Sequence, residues 1–361
     1  MLRNYWYPMV RSADVPSDRP VAVELFGEPL VVFRDEAAVL HCLEDRCGHR
    51  SAPLSLGILC KGRVECPYHG WQYGARGRCE HIPTLADAGS IPRGAHVSWR
   101  AVIERAGLIW IWAGAPETAD ESKLPSYPEF SSPEWWVVTQ GTIDLAVDHS
   151  LVIENLLDPT HVSFTHRGTL SKPEEAQPLV VTVTETQEGG LIGRFQATRE
   201  PKPRLPEFFA FDAPCHVRVG KDDHSVTRLF HCLPVAQSRM RMIWWIALRR
   251  SALSPELARK VANEAERLLV EKQYFDGQMS ILKQDVEMLL GQQRRIELGA
   301  NSFACPLKGD GLAYRYRQWR EANDVSGTWF EGYASAGRRR SAQANVCEGV
   351  VASPASTARS S

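Results

Sequence analysis

The sequence predicts an α+β protein of two domains followed by a tail, on three observations. Residues 1–118 read as short strands separated by frequent turns, an all-β block. Strands resume at Trp135 and continue to about residue 249, interrupted by one short helical stretch. Residues 254–293 then form a long run rich in Ala, Leu and Glu, a helical composition. The chain's 361 residues, 43% of them hydrophobic, suffice for about two domains of roughly 150 residues, each burying its own core.

Taken in order, "VAVELFGEPLVVFRD" alternates as a hairpin, with Gly27, Glu28 and Pro29 placed at its turn. "AVIERAGLIWIWAG" is rich in β-branched and aromatic residues and closes the block as strand. "APETADESKLPSYPEFSSPEW" is dense in Pro, Ser and acids and reads as a linker crossing the surface. In "DHSLVIENLLDPTHVSFTH", Leu151, Val152, Leu156 and Leu157 fall near helical spacing. On "RMIWWIALRR", Trp244 and Trp245 alternate, which sets one toward the interior and the other toward the exterior. Ser254, with Glu256 nearby, caps the long helical run, which breaks or continues near Gly277. After Arg338 periodicity ends, so residues 338–361 are expected to be a disordered tail. The domain limits are then 1–118 and 119–337. No internal repeat is visible.

Formal net charge is −1 and the pI about 6.8, so no basic excess favours nucleic acid. No acidic block favours a tail that mimics it. A small neutral or mixed-charge ligand fits this balance better. No run of about eighteen apolar residues occurs, so no membrane-spanning helix is expected. The N-terminal stretch lacks an apolar h-region and reads as no secretory signal. Nine cysteines, an odd number without scaffold-like spacing, point to a reducing cytoplasm, where thiols serve as ligands or pack as side chains.

Two mixed pairs stand out: Cys47 with His49, and Cys66 with His69, in "CGHRSAPL" and "CPYHGWQY". A structural zinc of the Cys2His2 type would place both cysteines before both histidines, with the first pair further apart. A [2Fe-2S] cluster with two imidazole ligands needs one cysteine and one histidine from each loop, which this order provides. Packed thiols and imidazoles without a metal are the bland alternative. Cys42, Cys60 and Cys79 do not fit the pairing and read as bystanders. Gly48, Gly57 and Gly70 suit tight turns, Pro67 would stiffen the second loop, and Trp71 and Tyr73 are expected to pack over the cluster or against the neighbouring domain.

Downstream, "ENLLDPTHVSFTH" supplies Asp158, His161 and His166. Two imidazoles and a carboxylate on one face of a metal are the ligand set of non-haem Fe(II) oxygenases. At about 100° per residue the two histidines would lie roughly 140° apart on a regular helix, so both reach one ion only if the helix distorts or ends between them. The β-branched Val162 and Thr165, and Pro159 after Asp158, are consistent with weakened helix there.

Over roughly residues 3–320 these motifs together resemble the Rieske non-haem iron oxygenases, oxygenase component. "IENLLDPTHVSFTHRGTLSK" and "YRYRQW" look most like the branch holding vanillate and dicamba demethylases, pheophorbide-type oxygenases and saxitoxin-pathway hydroxylases. The chain lacks the Cys-x-x-Cys pair that plant pheophorbide-type enzymes carry near the C-terminus. The resemblance implies a Rieske domain followed by a helix-grip (START-like) catalytic domain, a curved antiparallel sheet around a long helix. It implies Cys47 and Cys66 on the inner iron of the cluster and His49 and His69 on the outer one. His161 and His166 would hold a mononuclear Fe(II). Asp158 would bridge an iron histidine to His69 of a neighbouring subunit, and Asn155 would lie near the iron.

The third ligand must come from the long helix, where Glu271, Asp276, Asp285 and Glu287 are available. "KQDVEMLLGQQ" looks like the family's later helix and selects Asp285. The resemblance further implies a homotrimer, electrons from NAD(P)H through a flavin reductase or ferredoxin, and O2 attacking a small aromatic or heterocyclic substrate by hydroxylation or oxidative demethylation. Trp244, Trp245 and "EFFAFDAPCH" are candidate pocket walls, with core packing as their ordinary role. The alternatives from other classes are an electron carrier or redox sensor without turnover, and a helix-grip binding module with structural zinc.

Overall fold

The computed structural model describes residues 2–86, 91–199, 206–223 and 225–323. The expected tail, 338–361, lies outside these. In the first part of the chain the strands are β1 (Trp6–Arg11), β2 (Val21–Leu25), β3 (Glu28–Arg34), β4 (Leu40–Glu44), β5 (Ile58–Cys60), β6 (Arg63–Glu65), β7 (Gln72–Tyr73), β8 (Cys79–His81), β9 (Trp99–Arg100), β10 (Val102–Arg105) and β11 (Leu108–Trp112). There follow β12 (Trp135–Leu145), helices α1 (His149–Leu156) and α2 (Val162–Thr165), and strands β13 (Leu179–Glu185), β14 (Leu191–Ala197), β15 (Phe208–Asp212), β16 (His216–Gly220), β17 (Val226–Ala236) and β18 (Arg239–Arg249). The helices α3 (Pro255–Ala262), α4 (Glu264–Glu297) and α5 (Gly311–Asn323) complete the described chain. Among the described residues, no helix is long and apolar enough to cross a membrane.

The chain forms two compact units. One joins Leu2–His149 to Arg228–Glu271, and the other joins Ser150–Thr227 to the described residues from Lys272 to Asn323. In the first, small antiparallel sheets run in the orders β1-β11-β10, β2-β3-β4-β9 and β5-β6-β7-β8. The "LIWIW" of β11 is buried along its whole length, which explains why it reads as continuous rather than alternating. The β2–β3 turn is Phe26-Gly27, both at positive φ (53° and 75°), so the predicted turn at Gly27, Glu28 and Pro29 is displaced. Glu28 and Pro29 already pair with Leu25 and Glu24. Phe26 holds its unfavourable backbone because the turn's amides donate to the carbonyls of Pro234 and Val235, at 2.9 and 2.7 Å.

β12 and β18 pair antiparallel from Trp135↔Arg249 to Leu145↔Met240. Gly141 faces Trp244, where any Cβ would come within 2.5 Å of the indole. Trp244 and Trp245 are both buried, at 0% and 5% exposure, so the expected exterior tryptophan does not exist. Phe130 and His231 cover Trp245, at ring-centroid distances of 5.1 and 6.0 Å. The linker predicted to cross the surface is a series of short 3-10 turns, pinned by the buried Leu124 and Tyr127 and by a 2.8 Å hydrogen bond from the Trp6 indole to the Asp120 carbonyl.

In the second unit, β16, β15, β14 and β13 lie side by side, all antiparallel. α5 packs on them: Phe211 meets Tyr316 and Trp319, each at 4.7 Å, and Leu312 fills the space left by Gly193. The sequence reading assigns no helix at α5, although its buried Leu312, Ala313, Tyr316, Arg317 and Arg320 recur with helical period. The long helical run divides at Asn263, whose extended backbone ends α3 and whose side chain accepts from the Glu266 amide at 3.1 Å to start α4. α4 then continues through Gly277 for 34 residues, and Ser254 caps α3 as predicted by accepting from the Leu257 amide.

Candidate metal centres

The first group of ligands lies on two loops of the Leu2–His149 unit. Cys47 follows β4, and Cys66 and His69 occupy the turn between β6 and β7. Each loop is a tight hydrogen-bonded turn: the Ser51 amide donates to the Cys47 carbonyl at 2.9 Å and the Gly70 amide to that of Cys66 at 3.0 Å. Gly70 sits at φ +71°, a conformation only glycine adopts freely. Gly57 is required for close approach instead, since a Cβ there would lie 1.9 Å from the Glu65 carbonyl oxygen.

The loops bring together Cys47, Cys66, His49 and His69. Both cysteines are 2% exposed, and both histidines are exposed. The two Nδ1 atoms face each other at 3.2 Å. The Tyr73 hydroxyl accepts from the Gly48 amide at 2.9 Å, which leaves its own proton to donate to Cys47 Sγ at 3.2 Å. Burial raises the Cys66 thiol pKa, against backbone amides of Tyr68 and His69 directed at the sulfur. Trp71 stacks on the His49 ring at 4.7 Å, nearly parallel, and Tyr68 lies 3.9 Å from the His69 ring. Two buried sulfurs with hydrogen-bond donors and two outer imidazoles converging through one type of nitrogen fit a [2Fe-2S] cluster of mixed ligation. Cys42 and Cys79 are also buried, Cys79 in the same core cluster as Cys47 and Cys66; burial pushes their thiols up to about 12 and about 11.

The second group lies in the other unit. α1 ends in a turn at Asp158, before Pro159, with the Asp158 amide donating to the Asn155 carbonyl at 3.1 Å. α2 is a single turn with His161 at its N-cap and His166 at its C-cap, where φ −101° and ψ 33° leave the helix. The helix therefore ends at the second histidine, and the two rings swing onto one side, with Nε2 atoms 3.3 Å apart. Asp285, on α4, brings Oδ1 to 3.5 Å from His161 Nε2 and 3.2 Å from His166 Nε2. All three ligand atoms lie within 4.8 Å of one another. Of the other acids considered, Asp276 and Glu287 are exposed, Asp276 paired with Lys272, and Glu271 accepts from the Trp136 indole.

The outer nitrogens of the rings are also engaged. His166 Nδ1 donates to Gln284 Oε1 at 2.9 Å, and the same oxygen accepts from Thr169 Oγ1. His161 Nδ1 is buried without a hydrogen-bond partner, and Asp158 Oδ2 faces it at 3.7 Å, an ion-pair distance. Asp158 is itself fixed through Oδ1 by the Thr160 amide and hydroxyl. Burial pushes the His161 ring down, yet Asp158 and Asp285 on its two sides outweigh it and raise its pKa to about 9. Burial raises Asp285, and the two imidazoles more than offset this, so its pKa is lowered. Asn155 Nδ2 donates to Asp285 Oδ1 at 3.4 Å. Two imidazoles and one carboxylate, each oriented by a second contact, fit a divalent ion with open coordination positions. Gln284 was not singled out from sequence; only its place beside Asp285 could have pointed to it.

Residues 5–94 match the Rieske [2Fe-2S] domain, and residues 145–323 match the vanillate O-demethylase oxygenase C-terminal domain. The chain is 32% identical over 343 residues to the chloroplastic chlorophyllide a oxygenase of Arabidopsis thaliana, covering 90% of this chain and 58% of that one. It is 36% identical over 247 residues to the chloroplastic protein TIC 55 of the same plant, covering 66% and 46%. The chain thus spans about half the length of these curated relatives. Among solved structures it resembles NdmA of Pseudomonas putida CBB5 with caffeine, at TM-score 0.70 and 25% identity, covering 93% of this chain and 95% of that one.

Proposed function

The chain belongs to the Rieske non-haem iron oxygenases, and from that premise we propose that it is a terminal oxygenase acting on a small aromatic or heterocyclic compound by hydroxylation or oxidative demethylation. The observation that carries the reading is the convergence of His161, His166 and Asp285 in a chain that also pairs Cys47 with His49 and Cys66 with His69. We assign the first three as ligands of a mononuclear iron and the other four as ligands of a [2Fe-2S] cluster. The cluster domain would occupy residues 1–118 and the catalytic domain 119–337. An Fe(II) ion bound by two imidazoles and a carboxylate would supply open positions for O2 beside the substrate.

The protein's own groups prepare the site. Gln284 fixes the His166 ring through its Nδ1 proton, so Nε2 presents its lone pair inward. Asp158 does the same for His161 by charge, across 3.7 Å. Asn155 donates to one Asp285 oxygen, which limits how that carboxylate can turn. We assign Asp158 the further place of connector between His161 and the partner subunit's His69, in a head-to-tail homotrimer. A ferredoxin or an NAD(P)H-dependent flavin reductase would supply the electrons. We place the protein in the cytoplasm, because none of the described cysteines is in a disulfide.

The test supplies the purified protein with NADH and a donor reductase under 18O2 across a panel of small aromatic and heterocyclic compounds. The reading expects NADH consumption stimulated by at least one compound, with label in the product or formaldehyde released. A fully reducible cluster whose electrons reach O2 at the same rate whatever compound is present would remove the oxygenase reading.

A further inference from the structure

The segment that carries Asn155, Asp158 and His161 has little helix with which to hold its own shape. α1 is eight residues long, a turn follows, and α2 is a single turn. Helices this short are unstable alone, so neighbouring elements must fix them. α5 does so through contacts spread over residues 150–160. Arg317 Nε and Nη2 donate to the two carboxylate oxygens of Glu154 at 2.9 and 2.6 Å, and Nη2 also donates to Ser302 Oγ at 3.0 Å. One turn along each helix, Arg320 Nη1 donates to Ser150 Oγ at 2.6 Å. The Arg317 guanidinium lies 4.4 Å from the centroid of the Phe303 ring. Just before α5, Gly309 sits so close to Thr160 that a Cβ there would lie 2.9 Å from the threonine methyl carbon. Ser150, Glu154, Arg317 and Arg320 are all 8% exposed or less.

Apolar contacts already hold α5 to its sheet, through Leu312, Tyr316 and Trp319. Replacing a buried ion pair by apolar residues of similar volume is often neutral or stabilising, so stability alone does not call for Arg317 and Glu154. What the paired fork adds is geometry, because two parallel hydrogen bonds fix direction as well as distance. Ser150 and Glu154 are four residues apart and share one face of α1, so two anchors on that face stop the helix turning about its axis. Asn155, the next residue round, donates to Asp285 Oδ1 at 3.4 Å, and its carbonyl accepts from the Asp158 amide at 3.1 Å. A rotation of α1 by about 10° would carry a side-chain tip roughly 6 Å from the axis through about 1 Å, against a tolerance of about 0.5 Å for a well-ordered site. We infer that Arg317 is a positioning residue: its clamp on Glu154 sets the rotation of α1 and so places Asn155, Asp158 and His161 before a metal binds. The inference deepens the oxygenase reading and rests on it only for the identity of the metal.

The experiment uses the full chain with its cluster in place and compares wild type, Arg317→Lys and the double variant Arg317→Met with Glu154→Leu. All are measured at a temperature where far-UV circular dichroism shows them folded. One readout is Co(II) affinity, by difference titration after chelation of the mononuclear site. The other is hydrogen exchange in the metal-free protein at the amides of Asp158, Thr165 and His166, which donate to the carbonyls of Asn155, His161 and Val162. The double variant is expected to unfold at the wild-type urea midpoint yet bind Co(II) about ten- to hundredfold more weakly. Its three amides should exchange about tenfold faster, while those of Leu282 and Leu289 on α4 keep their wild-type rates. Arg317→Lys keeps the charge and loses the fork, so it should fall between the two. Unchanged Co(II) affinity or unchanged exchange in the double variant would overturn the inference, and so would an equal rise in exchange along α4, which marks general loosening. If the double variant does not fold, Arg317→Lys decides on the same readouts. A wild type that binds no Co(II) would count against the oxygenase reading instead, and the exchange rates then decide the clamp by themselves.

Discussion

The position of His161 between Asp285 and Asp158 predicts a strong pH dependence of metal binding. The ring must lose its proton to offer Nε2 to a metal, and both carboxylates resist that loss. With its pKa raised from 6.5 to about 9, the protonated ring is favoured by about 3 kcal/mol over an ordinary imidazole. Between pH 6.5 and 8.5, apparent affinity should then rise about tenfold per pH step of one, roughly a hundredfold in all. An unperturbed imidazole would give only about a twofold rise over the same range. Titration with Co(II), which resists air oxidation, measures this directly, and about one proton should be released per ion bound. Asp158→Asn should shrink the rise, because one of the two opposing charges is gone. In the metal-free protein the sign reverses: this stabilisation is fully present below pH 6.5 and is lost as pH rises through about 9. A Co(II) affinity that changes only twofold between pH 6.5 and 8.5 would refute the geometry of charge around His161.

Three further perturbations follow from other contacts. Tyr73→Phe removes a hydrogen bond to Cys47 Sγ, and because the reduced cluster is the more negative form, its reduction potential should fall by about 40 mV per kcal/mol of hydrogen bond lost; an unchanged potential in protein-film voltammetry would contradict this. Arg317 holds Glu154 by two hydrogen bonds of 2.9 and 2.6 Å, both groups being buried, so Arg317→Met should cost about 3–5 kcal/mol in urea unfolding, and adding Glu154→Leu should restore most of it; equal instability of the single and double variants would show that the pair is not what matters. Gly57→Ala forces a methyl group against the Glu65 carbonyl and should yield protein with markedly less visible absorption, whereas a normal spectrum would mean the loop opens without effect on the ligands.

The cluster loops were legible because each ligand pair and the turn that shapes it lie within a few residues. The second centre was legible only in part. His161 and His166 were visible as types, while their convergence depended on α2 ending at His166, which wheel geometry could state as a requirement and not as a result. Asp285 came from resemblance rather than pattern, although Leu282 and Leu289 beside it mark the buried face that Asp276 and Glu287 do not share. The misplaced features have physical causes of the same kind. Alternation assigns one wet face to a strand, but β18 is covered on both, so Trp244 and Trp245 are both interior. A Phe at positive φ in the β2–β3 turn is held by hydrogen bonds that the turn's amides donate to carbonyls about two hundred positions away in sequence, beyond any local signal.

The central claim is that one chain holds two separate iron sites with different ligands. Iron and sulfide analysis of anaerobically prepared protein, paired with EPR of the dithionite-reduced state, tests it most directly when wild type and His161→Ala are compared. The account predicts about three irons and two sulfides per chain in wild type, and about two irons in His161→Ala with an unchanged signal from the reduced cluster. Colourless wild-type protein, or a His161→Ala variant that retains all of its iron, would contradict it.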